Sequence, residues 1–336
     1  MNTKYDSEKK DKELIKKDAE INKQLAETEK QNLQRNAFII GFSLVLVLAF
    51  FIYRGYRQKK TANGLLEEKN ILIENQKQLV EEKNLKITES INYAKRIQQA
   101  ILPSQEMIKF LIPESFVFFK PKAIVSGDFY WIHPVDNNKI LLAAADCTGH
   151  GVPGALMSIM GFNLLEQIVK EHFIDEPAKI LNDLSKMIME SLRQKDEFGT
   201  VKDGMDIALC KIDFQNLELE YSGAHNSLYL IRNGKLNEIK ADRRYVGVSS
   251  SKPGLFLNHN LKLEKGDCLY IFSDGFADQK GGINNEKFFY KPFQELLIKN
   301  HLMEMMEQEK DLANVISEWK SDKEQIDDML VIGLRI

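Results

Sequence analysis

The stretch A-A-A-D-C-T-G-H-G-V-P-G-A-L-M-S, residues 143–158, ends an apolar run in Asp146 and continues as a glycine-rich loop. The run I-L-L-A-A-A at 140–145 is uncharged, which is typical of a buried β-strand. Pro153 suits the first turn of the helix that the pattern predicts over 153–172. The stretch therefore predicts a buried strand that delivers a carboxylate into a tight loop at the start of a helix.

The alternation of strands and helices continues to the end of the chain. A second helix is predicted, followed by a series of strands: 176–193 for the helix, then 205–214, 217–224, 227–239, 267–273 and 329–336 for the strands. Asn233-Gly234, inside 227–239, predicts a tight hairpin turn. Two adjacent helices between sets of strands and hairpins favour an α+β sandwich over a doubly wound parallel sheet.

The composition narrows the function class. The chain has 336 residues, 43% of them hydrophobic, and a formal net charge of −3. This balance does not favour nucleic-acid binding by bulk electrostatics, so no nucleic-acid partner is expected. The 3 cysteines are widely spaced and predict neither a disulfide framework nor a zinc site.

One segment is too apolar for a solvent-exposed helix. Residues 36–53 carry no charge and, at about 1.5 Å per residue, nearly cover a hydrocarbon core of about 30 Å. A buried core helix and a signal peptide are the alternatives, but charged helical flanks and a late start argue against them. We predict a transmembrane helix over 36–55. The basic cluster at 54–60 places its C-terminal side in the cytoplasm.

The segments around this helix are polar and helical. Residues 1–35 are predicted as a polar helix, or as the tail of something larger. Residues 56–102 are predicted as a coiled-coil linker that forms a parallel homodimer, because apolar residues recur every seven positions: Leu66, Ile73, Val80, Ile87, Ala94 and Ile101. A single amphipathic helix packed on its own domain is the alternative. Pro103 ends the helix, and residues 103–336 form the predicted catalytic domain.

Aspartates recur where predicted strands begin or end. Asp128 precedes the aromatic run F-Y-W, Asp274 follows I-F-S, and Asp327 and Asp328 precede the last strand. Clustered carboxylates repel one another and need a cation, and hard oxygen ligands suit Mg²⁺ or Mn²⁺. An ordinary turn or cap role is the alternative for each aspartate taken alone. Together with Asp146, they predict a metal site.

The motifs resemble a known family. S-G-D-F-Y-W, A-D-C-T-G-H-G-V-P-G-A-L-M-S, S-G-A-H-N, I-F-S-D-G-F-A-D and D-D-M-L-V-I occur in this order over residues 105–336. This series resembles the PPM (type 2C) metal-dependent protein phosphatases, in their bacterial RsbU/SpoIIE branch. The lead-in I-N-Y-A-K-R-I-Q-Q-A-I-L-P is similar to that of membrane-tethered members. The resemblance implies an α-β-β-α sandwich of two antiparallel sheets flanked by helices.

The resemblance also implies a set of site residues. Asp146 would bridge two divalent metal ions, Mn²⁺ or Mg²⁺, with the carbonyl of Cys147 as a further ligand. Asp128 and Asp274 would complete one side and Asp327 the other. His150 is a candidate proton donor, with a structural role as the alternative. Asp328 is expected to cap its turn, while the roles of Asp206, His225 and Asn226 stay open.

The activity that this implies is hydrolysis of phosphoserine or phosphothreonine by a metal-activated hydroxide. The implied substrate is a phosphoserine protein, commonly an antagonist of an anti-sigma factor. We expect a single-pass protein of the cell membrane with a cytoplasmic catalytic domain. One alternative is a catalytically degenerate scaffold that signals through dimerisation. A membrane histidine kinase is disfavoured, because we find no acceptor histidine in a dimerisation helix and no glycine-rich ATP lid.

Overall fold

The computed structural model describes residues 2–194, 203–247 and 254–336. Helices and strands alternate along the chain as follows: α1 (Asn2–Ile101), α2 (Gln105–Leu111), β1 (Ser115–Lys120), β2 (Phe129–Pro134), β3 (Lys139–Cys147), α3 (Val152–His172), α4 (Pro177–Ser191), β4 (Met205–Asp213), β5 (Glu218–Ala224), β6 (Leu228–Arg232), β7 (Lys235–Ile239), β8 (His259–Lys262), β9 (Cys268–Phe272), α5 (Gly275–Asp278), β10 (Lys280–Gly281), β11 (Glu286–Lys287), α6 (Tyr290–Asn300), α7 (Met305–Lys320) and β12 (Met329–Arg335).

Two antiparallel sheets form the centre of the domain. One has five strands in the order β1-β12-β9-β6-β7, and the other has five in the order β2-β3-β4-β5-β8. A small hairpin pairs β10 with β11. β6 and β7 are joined by Asn233 and Gly234 with φ of 51° and 72°, the left-handed geometry of a primed hairpin turn. The hairpin predicted from Asn233-Gly234 is therefore confirmed.

The buried side chains form three layers of core, as an α-β-β-α sandwich requires. Ile140, Leu142 and Ala144 of β3 face the other sheet, where Ile271 and Ile332 belong to the same cluster. The alternate residues of β3 pack instead with α3 and α4. On the far side, the sheet that contains β9 and β12 packs against α6 and α7. β3 is apolar on both faces because both faces are covered, which explains its unbroken apolar run.

The predicted helices and strands of this domain are found close to their expected bounds. The helix predicted over 153–172 begins at Val152, and the one predicted over 176–193 spans Pro177–Ser191. The five predicted strands correspond to β4, β5, the β6–β7 hairpin, β9 and β12. The α+β class with two antiparallel sheets flanked by helices is confirmed.

The N-terminal region is a continuous helix. α1 runs over 100 residues and ends at Ile101, before Pro103. The chain divides into two compact units, with the boundary between Asn84 and Leu85. Among the described residues, two helical segments are long and apolar enough to cross a membrane. The window in α1 has no buried part, whereas that of α3 is 44% buried and belongs to the core of its unit.

Candidate metal centre

The two sheets present the ends of four strands at one edge. β2 and β3 pair antiparallel with Phe129 opposite Ala145, so the residue before β2 lies beside the end of β3. These two positions hold Asp128 and Asp146. In the other sheet β9 and β12 are also antiparallel neighbours. The end of β9 leads into Asp274 and the start of β12 follows Asp328. Stacking of the two sheets brings the four strand ends together.

The aspartates lie close enough to disturb one another's titration. Burial, with the charges of Asp328 and Asp327, raises the pKa of Asp128 well above its usual value, although a hydrogen bond from Ser273 opposes this. Burial and then the charges of Asp128 and Asp274 raise the pKa of Asp146. The pKa of Asp146 is thus raised by aspartates from both sheets, Asp128 and Asp274.

Asp274 shows the same behaviour on the exposed side of the cluster. Burial, followed by the charges of Asp278 and Asp327, raises its pKa to about 6. Asp146 is also within hydrogen-bonding range of Asp274. The carboxylates predicted from Asp128, Asp146, Asp274 and Asp327 are therefore brought to one place by the fold.

Asp327 and Asp328 make different contacts. The two oxygens of Asp328 accept hydrogen bonds from the main-chain N–H groups of Lys122 and Gly127, each at 2.7 Å. Asp328 is only 2% exposed, so its carboxylate is fully engaged by the loop that leads to Asp128. Asp327 faces the cavity beside Asp146 and Asp274. The expectation that Asp328 caps its own turn is therefore corrected: its carboxylate binds the distant loop that contains Lys122 and Gly127, while Oδ1 of Asp327 accepts the N–H of Asp328 at 2.9 Å.

Glycines allow the loops of the site to meet. A Cβ on Gly127 would lie 2.5 Å from the carbonyl oxygen of Gly149, and one on Gly154 would lie 2.2 Å from the same atom. Across the site, a Cβ on Gly275 would lie 1.9 Å from the carbonyl oxygen of Asp328. These spacings exclude any side chain at the three positions. The glycine-rich loop after Asp146 is therefore explained by close packing of main chains as well as by turn geometry.

A cavity of about 230 Å³ opens beside these carboxylates. It is lined by residues of the 146–150 loop, of β4 and of the segments before α5 and β12: Asp146, Cys147, Thr148, Gly149, His150, Met205, Asp206, Tyr245, Asp274 and Asp327. Asp128 lies behind this wall, 1% exposed, with its Oδ2 accepting a hydrogen bond of 2.6 Å from the hydroxyl of Ser273. Four of the five residues predicted as ligands thus line the cavity: Asp146, Cys147, Asp274 and Asp327.

Cys147 and His150 occupy contrasting positions. The thiol of Cys147 is buried, and burial raises its pKa well above the usual value, so the thiol stays protonated and is no nucleophile. His150 lines the cavity and is exposed to solvent. Among the described residues, no carboxylate within hydrogen-bonding distance orients its imidazole.

Residues that the sequence left open complete the wall. Asp206 lies opposite Asp146 in the pairing of β3 and β4, and its Oδ1 is 2.8 Å from Nδ1 of His225. Ser273 and Tyr245 were not predicted at all. A serine directly before the strand-end Asp274, and an aromatic residue in the R-R-Y-V-G turn, were the available signals.

The chemistry of the donor set fits hard divalent cations. Within the described residues, no three His, Cys, Asp or Glu side chains already stand in a ligand arrangement. Burial first, and then the charges of neighbouring aspartates, raise the pKa values of Asp128 and Asp146, so their charged forms are unfavourable without a cation. A divalent cation would offset this cost, and Mg²⁺ and Mn²⁺ prefer oxygen donors of this kind.

Comparison with solved structures places this fold in a class. The SiaA-PP2C domain of Pseudomonas aeruginosa is 29% identical and superposes with a TM-score of 0.68, covering 75% of this chain and 98% of that domain. The PP2C phosphatase domain of SpoIIE from Bacillus subtilis, with a fragment of its regulatory domain, has a TM-score of 0.54 at 21% identity, covering 66% of this chain and 63% of that one. The fold is that of the PP2C phosphatase domains.

Comparison of the sequence gives the family. The family described as Stage II sporulation protein E (SpoIIE) matches residues 136–336, and the chain belongs to this family. Phosphoserine phosphatase RsbU of Bacillus subtilis is 24% identical over 222 residues, which is 64% of this chain and 61% of RsbU. Phosphoserine phosphatase RsbP of the same organism is 22% identical over 166 residues, covering 48% of this chain and 39% of RsbP. The chain thus spans only part of the curated relatives that it matches.

Proposed function

We propose that this chain is a metal-dependent protein serine/threonine phosphatase of bacterial signal transduction. The observation that carries the proposal is the cluster of aspartates at the cavity, with Asp128 buried and Asp146, Asp274 and Asp327 half-buried, in a domain of the SpoIIE family. Burial and mutual repulsion raise the pKa values of Asp128 and Asp146, as expected of carboxylates arranged to share a cation. The phosphatase names of RsbU and RsbP agree with this activity.

We assign the metal ligands as the sequence predicted them. Asp146 would bridge two ions, with the carbonyl of Cys147 as a further ligand, and Asp128 and Asp274 would serve one side and Asp327 the other. The ions would be Mg²⁺ or Mn²⁺, and the chemistry they would supply is a hydroxide formed from water near neutral pH. The central position of Asp146, next to both Asp128 and Asp274, supports its bridging role.

Other side chains hold this arrangement. Ser273 donates a hydrogen bond to Asp128 and accepts one of 3.0 Å from the main-chain N–H of Leu330, so it joins the two sheets at the site. Asp328 fixes the loop before Asp128. His150 lines the solvent side of the cavity. Proton donation, which the sequence suggested for His150 with a structural role as the alternative, stays a prediction.

The substrate we propose is a phosphoserine or phosphothreonine on a protein, of the class of anti-sigma factor antagonists. An open cavity of about 230 Å³ suits a phosphorylated side chain presented on a protein surface. A phosphopeptide carrying one phosphoserine is the minimal substrate for tests. The particular partner follows from screening candidate phosphoproteins of the same cell.

We further propose that α1 anchors the protein in the cell membrane. Large apolar side chains project on all sides of its apolar segment, with Phe38, Leu44 and Phe51 more than half exposed. Such a helix is suited to a bilayer rather than to water. The basic residues at 54–60 favour a cytoplasmic catalytic domain. Resistance to alkaline extraction from membranes, and loss of that resistance on deletion of 36–55, would test the anchor.

The activity is tested on the full chain in detergent, with a phosphoserine peptide and p-nitrophenyl phosphate as substrates. We expect hydrolysis with Mn²⁺ or Mg²⁺ and none after chelation. Asp146→Asn is expected to lower kcat/KM by about 100-fold or more, because it removes the shared ligand. Asp322→Asn is a matched control, since Asp322 is 85% exposed and is not among the residues that line the cavity.

Two results would decide against the proposal. A wild-type chain that hydrolyses neither substrate with either metal would favour the alternative, a degenerate phosphatase-like scaffold that acts through dimerisation. Full activity of Asp146→Asn would show that the aspartate cluster is not the catalytic site.

A further inference from the structure

His225 has a backbone conformation that calls for an explanation. It follows β5 with φ of 54°, in the left-handed region that a residue with a Cβ enters at a cost. Its main-chain N–H donates a hydrogen bond of 2.9 Å to the carbonyl of Asp242, and the next N–H, of Asn226, donates one of 2.6 Å to Ala224. These bonds hold the turn in place. The conformation sets the direction of the imidazole, and strained residues of this kind concentrate at functional sites.

The imidazole is held between two residues of the cavity wall. On one side, Nδ1 of His225 lies 2.8 Å from Oδ1 of Asp206. On the other side, the ring of Tyr245 meets it edge-on, with 4.3 Å between ring centroids. Asp206 and Tyr245 both line the cavity that Asp146 and Asp274 line. His225 is therefore held by contacts with two residues that line this cavity.

The contact with Asp206 has a chemical consequence. A carboxylate at Nδ1 fixes the tautomer and orientation of a histidine. Nε2 of His225 is then the nitrogen that is left to act, and it has no hydrogen-bond partner among the described residues. Asp206 lies opposite Asp146 across the strand pair, so this contact ties His225 to a residue beside the cluster.

We propose that His225, oriented by Asp206, donates the proton to the leaving serine oxygen of the substrate. This inference rests on the proposed phosphatase function. As a water-derived oxygen forms its bond to phosphorus, the bond between phosphorus and the serine Oγ breaks and its electron pair stays on Oγ. The proton on Nε2 of His225 moves to that oxygen, which leaves as serine hydroxyl. The neutral imidazole then regains a proton from solvent.

The geometry favours His225 over His150 for this step. His150 is exposed, and among the described residues no carboxylate orients it, whereas the ring of His225 is fixed by Asp206 and Tyr245. A proton donor works best when it is held in position, since orientation is part of its contribution to the rate. The two histidines thus give a direct comparison within one protein.

The test uses leaving groups that differ in their need for a proton. Serine alkoxide must be protonated as it leaves, whereas p-nitrophenolate is a stable anion and needs little help. The variants are His225→Asn and His150→Asn in the full chain with Mn²⁺. Asparagine tolerates the left-handed conformation and can still hydrogen-bond to Asp206, but it is no proton donor at neutral pH. For His225→Asn, we expect kcat on the phosphoserine peptide to fall about 100-fold and kcat on p-nitrophenyl phosphate to fall less than about 10-fold.

Asp206→Asn is the second variant, because it leaves the turn at His225 intact. It should shift the ratio of the two rates in the same direction, by about 10-fold. Equal losses on both substrates in His225→Asn and Asp206→Asn would overturn the inference, as would the same shift in ratio from His150→Asn in place of His225→Asn. Either result leaves the phosphatase proposal intact, whereas an inactive wild type removes both.

Discussion

At the scale of single residues, the main-chain segments around Asp128 and Asp146 pack so closely that some positions have room only for glycine. Gly127, Gly149 and Gly154 bring three main-chain segments into contact, so that the loop after Asp146 lies directly on the loop before Asp128. The position of each carboxylate therefore depends on the absence of a side chain on the neighbouring loop. Of the three glycines in the motif, Gly154 is required by this packing, whereas Gly149 and Gly151, with φ of 85° and 68°, are required by the turn.

Gly154→Ala tests this packing. The added Cβ would approach the carbonyl oxygen of Gly149 to 2.2 Å, so the loop that holds Asp146 must shift. We expect a loss of about 1–3 kcal/mol in the free energy of unfolding and a weaker response of activity to metal. Denaturant unfolding and metal titration of activity measure both. Gly64→Ala is the matched control in a helix, since its Cβ meets nothing within 4 Å; equal stability of the two variants would contradict the packing argument.

Glu166 on α3 gives a prediction that depends on pH. It accepts a hydrogen bond of 2.7 Å from the indole N–H of Trp131 and pairs with Lys170. Burial raises the pKa of Glu166, but the hydrogen bonds from Lys170 and Trp131 lower it by more, so the net pKa lies below the usual value. A folded-state pKa below that of the unfolded chain means that Glu166 stabilises the fold above the unfolded pKa of about 4.3.

The stabilisation by Glu166 is lost as pH falls through its folded-state pKa. Glu166→Gln should therefore lower the free energy of unfolding by about 0.5 kcal/mol at pH 7, with the difference shrinking as the pH falls below about 4. Denaturant unfolding at several pH values measures the difference. Glu171→Gln, on the exposed side of α3, should show no such trend. A difference that grows towards low pH would contradict the assignment.

At the scale of elements, one buried side chain joins the last turns of α1 to the loop that precedes Asp128. Gln98 is 6% exposed and donates hydrogen bonds to the carbonyl of Ser126 at 2.7 Å and the hydroxyl of Ser158 at 2.9 Å. Its own carbonyl oxygen accepts a hydrogen bond of 3.1 Å from the N–H of Ser126. Ser126 lies two residues before Asp128, so Gln98 connects the end of α1 to the segment that positions this aspartate.

Gln98→Ala should remove these hydrogen bonds and leave the rest of the helix unchanged. It leaves the main-chain groups of Ser126 without partners in a buried place, at a cost of about 1–3 kcal/mol. We expect a lower unfolding temperature and faster hydrogen exchange in the loop that includes Ser126. Gln99→Ala is the matched control, since Gln99 is exposed. Unchanged exchange at Ser126 in Gln98→Ala would argue against the contact.

The strands were easier to predict than the last helices. Short apolar runs predict β3 and β9, and the Asn-Gly pair predicts the β6–β7 hairpin. No element was predicted between 273 and 329, where α6 and α7 lie. The signal was present, because Phe293, Leu296 and Leu297 of α6 follow helical spacing and are all buried. A charged, mixed composition and an early proline obscured it.

At the scale of the whole molecule, the proposed homodimer is the feature that can be tested without knowledge of the substrate. Leu66, Ile73 and Val80 recur every seven residues in α1, and each is more than half exposed. Side chains of this kind gain free energy by burial against a second copy of the helix.

Ile73→Glu combined with Val80→Glu places like charges in that seam. We expect the dissociation constant of the full chain in detergent to rise by about 100-fold or more, as measured by sedimentation. Asn75→Glu combined with Gln78→Glu adds the same charge outside the stripe and should leave the dimer unchanged. A wild-type chain that sediments as a monomer would rule out the dimer.

The sequence by itself determined the α+β class and predicted the metal donors. Apolar runs with turn signals indicated most of the strands, and aspartates at strand ends indicated the candidate ligands, because periodicity and residue type are local properties of the chain. The packing between distant segments was decided only by the tertiary structure. Asp328 binds the N–H of Gly127 from 201 residues away. Gln98 meets Ser126 only because the end of α1 packs on the loop before Asp128. His225 meets Asp206 because β4 pairs with β5 in this register. Contacts between segments far apart in the chain depend on how whole layers pack, and no local pattern encodes that packing.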